Sequence, residues 1–157
     1  MKLTVYAVGH RMPSWVAAGF TEYAQRMPRE MPLQLREVKP AQRSNAAGDV
    51  ARWLHTEAER IGAAMPAGVL KVVLDEHGRS FQTRTLATHL ERWRGSGRDV
   101  AFIIGGADGL APDIKTRADL LWSLSPLTLP HGLVRVVLAE QLYRAASMLS
   151  NHPYHRE

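Results

Sequence analysis

Two segments in the last third of the chain carry residues suited to ligand binding. Residues 103–109 read Ile-Ile-Gly-Gly-Ala-Asp-Gly, an apolar run that ends in glycines. Residues 123–131 read Ser-Leu-Ser-Pro-Leu-Thr-Leu-Pro-His, an extended apolar segment that leads straight into a helical pattern. Glycine has no Cβ, so a ligand can lie against its main chain. The two segments predict a ligand site built mostly from backbone at the carboxyl ends of strands in an open sheet.

The glycine run does not match the common nucleotide-binding motifs. A G-x-G-x-x-G fingerprint follows the first strand and has an acidic residue about 20 positions later. Here the glycines come late, and no acidic residue lies between Asp119 and Glu140. The Gly-Lys-Ser/Thr of a P-loop is also missing from the sequence. A dinucleotide or nucleoside triphosphate site is therefore not expected, although a plain strand-to-helix turn stays open.

The C-terminal tail combines three groups that suit contact with a nucleotide. Tyr154 can stack, His155 can titrate, and Arg156 is a permanent cation. Aromatic, imidazole and guanidinium groups together are typical of nucleotide recognition. His152 and His155 alone are too few for a metal site, and the chain has no cysteine to supply a thiolate or a disulfide. We expect no metal.

The charge balance favours a polyanionic partner. The formal net charge is +5, and arginine outnumbers lysine by 16 to 4. Arginine forks phosphates and stacks on bases, which is typical of RNA contact, although coding bias explains the same ratio. No apolar run reaches the length of a membrane span, and the N-terminal run is too short for a signal peptide. We therefore expect a cytoplasmic protein with no membrane partner.

Strand and helix patterns alternate along the whole chain. This order predicts an α/β fold, a parallel sheet with helices on both faces, formed by residues 1–157 as a single domain. A turn is predicted at 76–78 and a polar loop at 40–48. The predicted strands cover residues 2–8, 32–38, 69–75, 100–104 and 120–124. Five helices are predicted. The first begins near residue 14, the second covers about 49–63, and the third covers about 80–93. The fourth is short and begins at 112, and the fifth covers about 132–151.

Helical spacing also predicts which faces are buried. In the second helix the predicted core residues are Val50, Trp53, Leu54, Ala58 and Ile61. In the last helix the predicted core stripe is Val134, Val137, Leu138, Gln141, Ala145, Met148 and Leu149. Apolar residues outside that stripe widen its coverage, which favours a homodimer. Glu140 and Arg144 are spaced as a surface ion pair.

Several motifs together resemble a known family over residues 1–157. The chain is similar to the bacterial large-subunit (23S) rRNA pseudouridine N3-methyltransferases of the SPOUT class. The residues that carry the resemblance are Ala7-Val8-Gly9, residues 19–23, Ile104-Gly105-Gly106 with Gly109-Leu110, Thr128-Leu129-Pro130-His131, residues 135–141, Tyr143-Arg144-Ala145 and Tyr154-His155-Arg156.

The resemblance implies a homodimeric SPOUT fold with a C-terminal trefoil knot, a feature that periodicity does not reveal. It implies S-adenosylmethionine as methyl donor and a pseudouridine in helix 69 of 23S rRNA, within assembled ribosomes, as acceptor. The implied donor-binding residues are Leu74, Gly105, Gly106, Ser125, Pro126, Leu127, Thr128, Leu129 and Pro130. The implied acceptor-side residues are His131, Tyr154, His155 and Arg156.

The implied chemistry is mainly alignment of donor and acceptor, because a sulfonium methyl is already electrophilic. The imide N3–H must lose its proton, and either His131 or His155 can accept it. Arg156 can stabilise the developing anion or bind phosphate. Two alternatives remain open from the sequence: a non-catalytic ribosome-binding or assembly factor on the same fold, and a SPOUT methyltransferase that acts on tRNA.

Overall fold

A single five-stranded sheet organises the chain. The computed structural model describes residues 1–43 and 48–156. The strands are β1 (Leu3–Val8), β2 (Leu33–Val38), β3 (Leu70–Arg79), β4 (Val100–Ile104) and β5 (Leu120–Trp122). Their order across the sheet is β2-β1-β4-β3-β5, and every pairing is parallel. The predicted parallel sheet is confirmed.

Helices cover both faces of this sheet, as predicted. They are α1 (Ser14–Ala24), α2 (Val50–Ala64), α3 (Thr83–Ser96), α4 (Pro112–Thr116) and α5 (His131–Leu149). Phe20 of α1, Leu90 of α3 and Leu142 of α5 share one apolar cluster on one face. Ile61 of α2 and Ile114 of α4 pack in a second cluster on the other face. The central strands β1 and β4 are buried along their entire length, which explains their continuous apolar sequences.

The predicted turn at 76–78 is wrong, because β3 continues to Arg79. Leu74 and Arg79 both pair with Trp122, so the residues between them form an irregularity within the strand. The Ser123 N–H donates to the Arg79 carbonyl at 2.9 Å and holds the strand end in the sheet. A Cβ on Gly78 would lie 2.7 Å from the backbone of Leu121. This glycine serves a close approach between strands and not a turn.

Two predicted helix faces also need correction. Val50 in α2 is 40% exposed, whereas Glu57 on the same helix is only 2% exposed. In α5 the predicted stripe is partly right, since Leu138 and Ala145 are fully buried. The same buried face contains Arg135, which the pattern did not place in the core. Charged residues occupy core positions in both helices.

Other predictions are not decided by the fold. Of the predicted polar loop at 40–48, residues 44–47 lie outside the described residues. The C-terminal knot and the single domain stay predictions. Across residues 1–43 and 48–156, we find no helix with both the length and the apolar character needed to cross a membrane.

Candidate functional site

A cavity of about 640 Å³ opens at the carboxyl ends of three neighbouring strands. Leu74 of β3, Ile104 of β4 and Trp122 of β5 form its base, and the segments that follow β4 and β5 complete its wall. This volume falls within the range of small-molecule sites. The cavity therefore lies at the sheet edge where the sequence predicted a ligand site.

Most of the predicted donor-binding residues meet in this cavity. The lining includes Leu74, Gly105, Gly106, Ser125, Leu127, Thr128, Leu129 and His131. The two predicted prolines, Pro126 and Pro130, do not contribute to the wall. Pro130 instead precedes the first turn of α5 in an extended conformation, so it sets the direction in which the helix leaves the cavity.

The glycine turn after β4 packs too tightly to accept side chains. A Cβ on Gly105 would lie 2.6 Å from the Gly109 carbonyl oxygen, and one on Gly106 would lie 3.1 Å from Val8. Gly109 has a φ of +79°, a conformation that favours glycine. The Gly109 N–H donates to the Gly106 carbonyl at 3.1 Å and closes the turn. The wall of the cavity at this point is main chain.

Ion pairs hold two carboxylates of the cavity lining, Asp75 and Asp108. Lys115 lies 2.8 Å from an Asp75 carboxylate oxygen, and the His77 N–H donates to the other oxygen at 2.8 Å. Burial alone would raise the pKa of Asp75, but the hydrogen bonds from Lys115 and His77 outweigh it and hold that pKa below its ordinary value. Asp108 is paired with Arg43 at 3.0 Å. The Asp75 carboxylate therefore stays ionised at neutral pH, and ion pairs hold both carboxylates in place.

His131 belongs to a polar chain at the start of α5 that the sequence did not reveal as a unit. Its Nδ1 lies 2.8 Å from the Gly105 carbonyl oxygen. Arg135 Nε donates to His131 Nε2 at 2.9 Å, and Arg135 Nη1 donates to Glu37 at 2.9 Å. Burial lowers the pKa of His131 below its ordinary value, with Arg135 adding to the effect. Only the i, i+4 spacing of His131 and Arg135 gives a signal in the sequence.

The predicted acceptor residues of the tail lie elsewhere in the protomer. The Tyr154 hydroxyl donates to Glu140 at 3.0 Å, and its ring lies 4.5 Å from the Tyr143 ring and under the Arg144 guanidinium. Burial and the bond to Glu140 raise the pKa of Tyr154 to about 12. Glu140 and Arg144 thus pair as predicted, but they also dock the tail. Residues 152–156 do not line the cavity of their own protomer.

The fold and the site define an α/β protein with a cavity of small-molecule size beside a glycine turn, and comparisons with known proteins identify its class. A family model described as "Predicted SPOUT methyltransferase" matches residues 1–155. The chain therefore belongs to the SPOUT methyltransferase family.

Individual relatives agree with that family. A Burkholderia multivorans protein named "Ribosomal RNA large subunit methyltransferase H" is 56% identical over 156 residues, and a Burkholderia mallei protein of the same name is 58% identical. In both cases the match covers 99% of each chain.

Solved structures show the same fold at low sequence identity. TrmJ from Z. mobilis has a TM-score of 0.54 at 12% identity, covering 92% of this chain and 70% of its own. A Bacillus anthracis protein described as a candidate RNA methyltransferase has a TM-score of 0.53 at 14% identity, covering 99% and 98%.

Proposed function

We propose that the protein transfers a methyl group from S-adenosylmethionine to N3 of a pseudouridine in helix 69 of 23S rRNA, acting in the cytoplasm on assembled ribosomes. The observation that carries the proposal is full-length identity of 56–58% to two relatives named as ribosomal RNA large subunit methyltransferases. The choice of nucleotide and atom rests on the resemblance of the sequence motifs. The geometry of the cavity supports the role of donor site.

The cavity fits the donor by its volume and by the chemistry of its wall. Bare backbone at Gly105 and Gly106 accepts a flat group at close range, and Leu127 and Leu129 add apolar surface. S-adenosylmethionine supplies, when bound, a methyl group on a positively charged sulfur that needs no further activation. What the chain contributes is position: the glycine turn and the segment 125–130 hold the donor. No metal enters this proposal.

We assign the acceptor side to the tail of a second copy in a homodimer. The Tyr154 ring packs at a tilt against Tyr143 of α5, and no part of residues 152–156 lines the cavity of the same protomer. Trp15 is 54% exposed and Leu127 is 72% exposed, so each protomer presents apolar surface for a partner to cover. In this arrangement Tyr154 stacks with the nucleotide and Arg156 binds its phosphate or the N3 anion.

Methyl transfer to ribosomes tests the reaction directly. Ribosomes from a strain that lacks this methyl group are incubated with the protein and isotopically labelled donor, and the rRNA is analysed by mass spectrometry. We expect the label on one pseudouridine in helix 69, and the exposed variant Glu59→Gln serves as an active control. Label on another rRNA nucleotide or on tRNA contradicts the proposed acceptor. Donor binding without any transfer favours the non-catalytic alternative.

Mixed dimers test whether the tail acts across the interface. One copy carries Gly105→Ala, which impairs the cavity, and the other lacks residues 152–157. If the tail serves the partner's cavity, a mixed dimer contains one intact site, and mixing the two impaired proteins restores activity at a donor concentration too low to saturate the Gly105→Ala cavity. If the tail serves its own cavity, no combination contains an intact site, and the mixture stays inactive. Light scattering on the unmodified protein gives the oligomeric state independently.

A further inference from the structure

The proton positions in the chain from Glu37 to Gly105 follow from the groups involved. The Gly105 carbonyl can only accept, so the His131 Nδ1 that lies 2.8 Å away must donate. Arginine Nε can only donate, so the His131 Nε2 that lies 2.9 Å away must accept. These two conditions are met together only by a neutral imidazole with its proton on Nδ1. An imidazolium would present an N–H against the Arg135 N–H.

Burial of the Arg135 guanidinium carries a large desolvation free energy. Its side chain is 1% exposed, and its one carboxylate partner, Glu37, is 45% exposed. An apolar side chain of similar volume would avoid the desolvation penalty of a buried cation. The glycine at position 9 makes space for the Arg135 guanidinium. A Cβ at that position would lie 3.0 Å from Arg135 Nη2 and 3.4 Å from His131 Nε2. A buried guanidinium with a solvent-exposed carboxylate partner indicates that the hydrogen bonds of Arg135, and not its packing, are what this position requires.

We propose that Arg135 is a positioning residue that holds His131 as the neutral Nδ1–H tautomer, and that His131 thereby fixes the Gly105 carbonyl in the wall of the cavity. The inference rests on the proposed function only where it calls that cavity the donor site. It separates His131 from the chemistry of the acceptor, because both ring nitrogens are already engaged. The N3 proton then goes to another group, and His155 is the remaining candidate.

The electrostatic surroundings of His131 agree with a neutral ring. Arg135 of α5 bonds the imidazole directly, and Glu37 of β2 bonds Arg135. The other charged or titratable groups that line the cavity are Asp75, Glu76 and His77 of β3, Asp108 of the glycine turn and Lys115 of α4. Asp75 pairs with Lys115, Asp108 pairs with Arg43, and Glu76 lies 3.4 Å from His77 Nε2. None of the described cavity acids forms a hydrogen bond or ion pair with the imidazole of His131, so burial dominates and lowers its pKa.

Nuclear magnetic resonance of the unmodified free protein tests the tautomer without donor or RNA. In a long-range ¹H–¹⁵N spectrum of histidine-labelled protein, we expect one ring with a protonated Nδ1 and an unprotonated Nε2 throughout the neutral pH range. The resonance is assigned by its loss in His131→Asn. An imidazolium at neutral pH, or a proton on Nε2, overturns the proposal. This readout holds whether or not the protein proves to methylate rRNA.

Variants then test the positioning role. Arg135→Gln removes the charged bond to His131, and we expect donor binding on the order of 10- to 100-fold weaker by calorimetry. Arg94→Gln, on the exposed surface of α3, is the matched control. His131→Asn keeps a donor near the Nδ1 position but cannot titrate, so it should lose less donor affinity than His131→Ala.

The pH dependence of kcat distinguishes positioning from proton transfer. If the proposal holds, the acid limb of the profile survives in His131→Asn at a reduced rate. Loss of that limb in the asparagine variant, or an unchanged donor affinity in a folded Arg135→Gln, overturns it. If the unmodified protein does not bind S-adenosylmethionine at all, the proposed function fails while the tautomer result stands.

Discussion

Adding a single methyl group at Gly105 is the most direct perturbation of the glycine turn. A Cβ at this position would lie 2.6 Å from the Gly109 carbonyl oxygen and 2.8 Å from Leu110 Cγ. Ordinary contact begins at 3.4 Å, so the turn must yield by about 0.8 Å. The nearest obstacle is backbone and not the flexible end of a side chain. Gly105→Ala therefore displaces the turn that forms the cavity wall.

The cost of this change follows from overpacking of a tight structure. Overpacking of this kind costs about 1–3 kcal/mol of unfolding free energy. For a chain of this length, each kcal/mol lowers Tm by about 2–4 °C, so Gly105→Ala should melt roughly 2–12 °C lower. We also expect at least about 10-fold weaker binding of S-adenosylmethionine, because the turn and the carbonyl held by His131 both move.

Thermal unfolding and calorimetric titration with the donor measure the two effects. Gly95→Ala is the matched control, since it adds the same methyl to α3 where no atom lies within 4 Å. That control should keep its donor affinity and gain up to about 1 kcal/mol, as helical glycines do when replaced by alanine. A Gly105→Ala protein with unchanged Tm and unchanged donor affinity would refute the packing argument.

Three further outcomes are expected. Deletion of residues 152–157 should leave calorimetric donor affinity intact and abolish methyl transfer to ribosomes; retained transfer would show that the tail has no role. Glu57→Gln should lower the free energy of unfolding, measured by urea denaturation, by about 1–3 kcal/mol, because the buried Glu57 carboxylate pairs with Arg43. The control is Glu59→Gln at an exposed position of the same helix, which should change that free energy by less than about 0.5 kcal/mol. Burial lowers the pKa of His89, so its contribution to stability is complete above the ordinary value of 6.5 and is lost as the pH falls below it. His89→Phe should therefore lose less unfolding free energy than the unmodified protein between about pH 7 and about pH 5; an equal loss would contradict this assignment.

The local sequence was sufficient to predict the parallel sheet and the position of the cavity at the carboxyl ends of its strands. Apolar β-branched runs predict β1 and β4 because both faces of these strands are buried. Parallel strands place their carboxyl ends on one edge, so the glycines after β4 and the segment after β5 were expected to meet. They do meet, in one cavity with Leu74 of β3.

Long-range partners explain the predictions that were wrong. Gly78 has the local signature of a turn, but its role is set by β5, more than 40 positions away in the chain. Glu57 and Arg135 are classed as surface residues by their charge, and their burial depends on partners that periodicity does not show. Glu37, the partner of Arg135, is 98 residues distant. Spacing along one helix carries no information about such pairs.

The geometry of α5 supports the homodimer that we propose. The helix begins with His131 at the cavity and binds Tyr154 of the tail through Glu140. These two helix positions are nine residues apart, which corresponds to about 13–14 Å along the axis at 1.5 Å per residue. Methyl transfer needs the reacting atoms within about 3–3.5 Å of each other. A tail docked on Glu140 is therefore held well away from the cavity at the start of the same helix, which agrees with its absence from the lining of that cavity. In the homodimer that we propose, the tail of one copy lies beside the cavity of the other, and methyl transfer then depends on dimerisation.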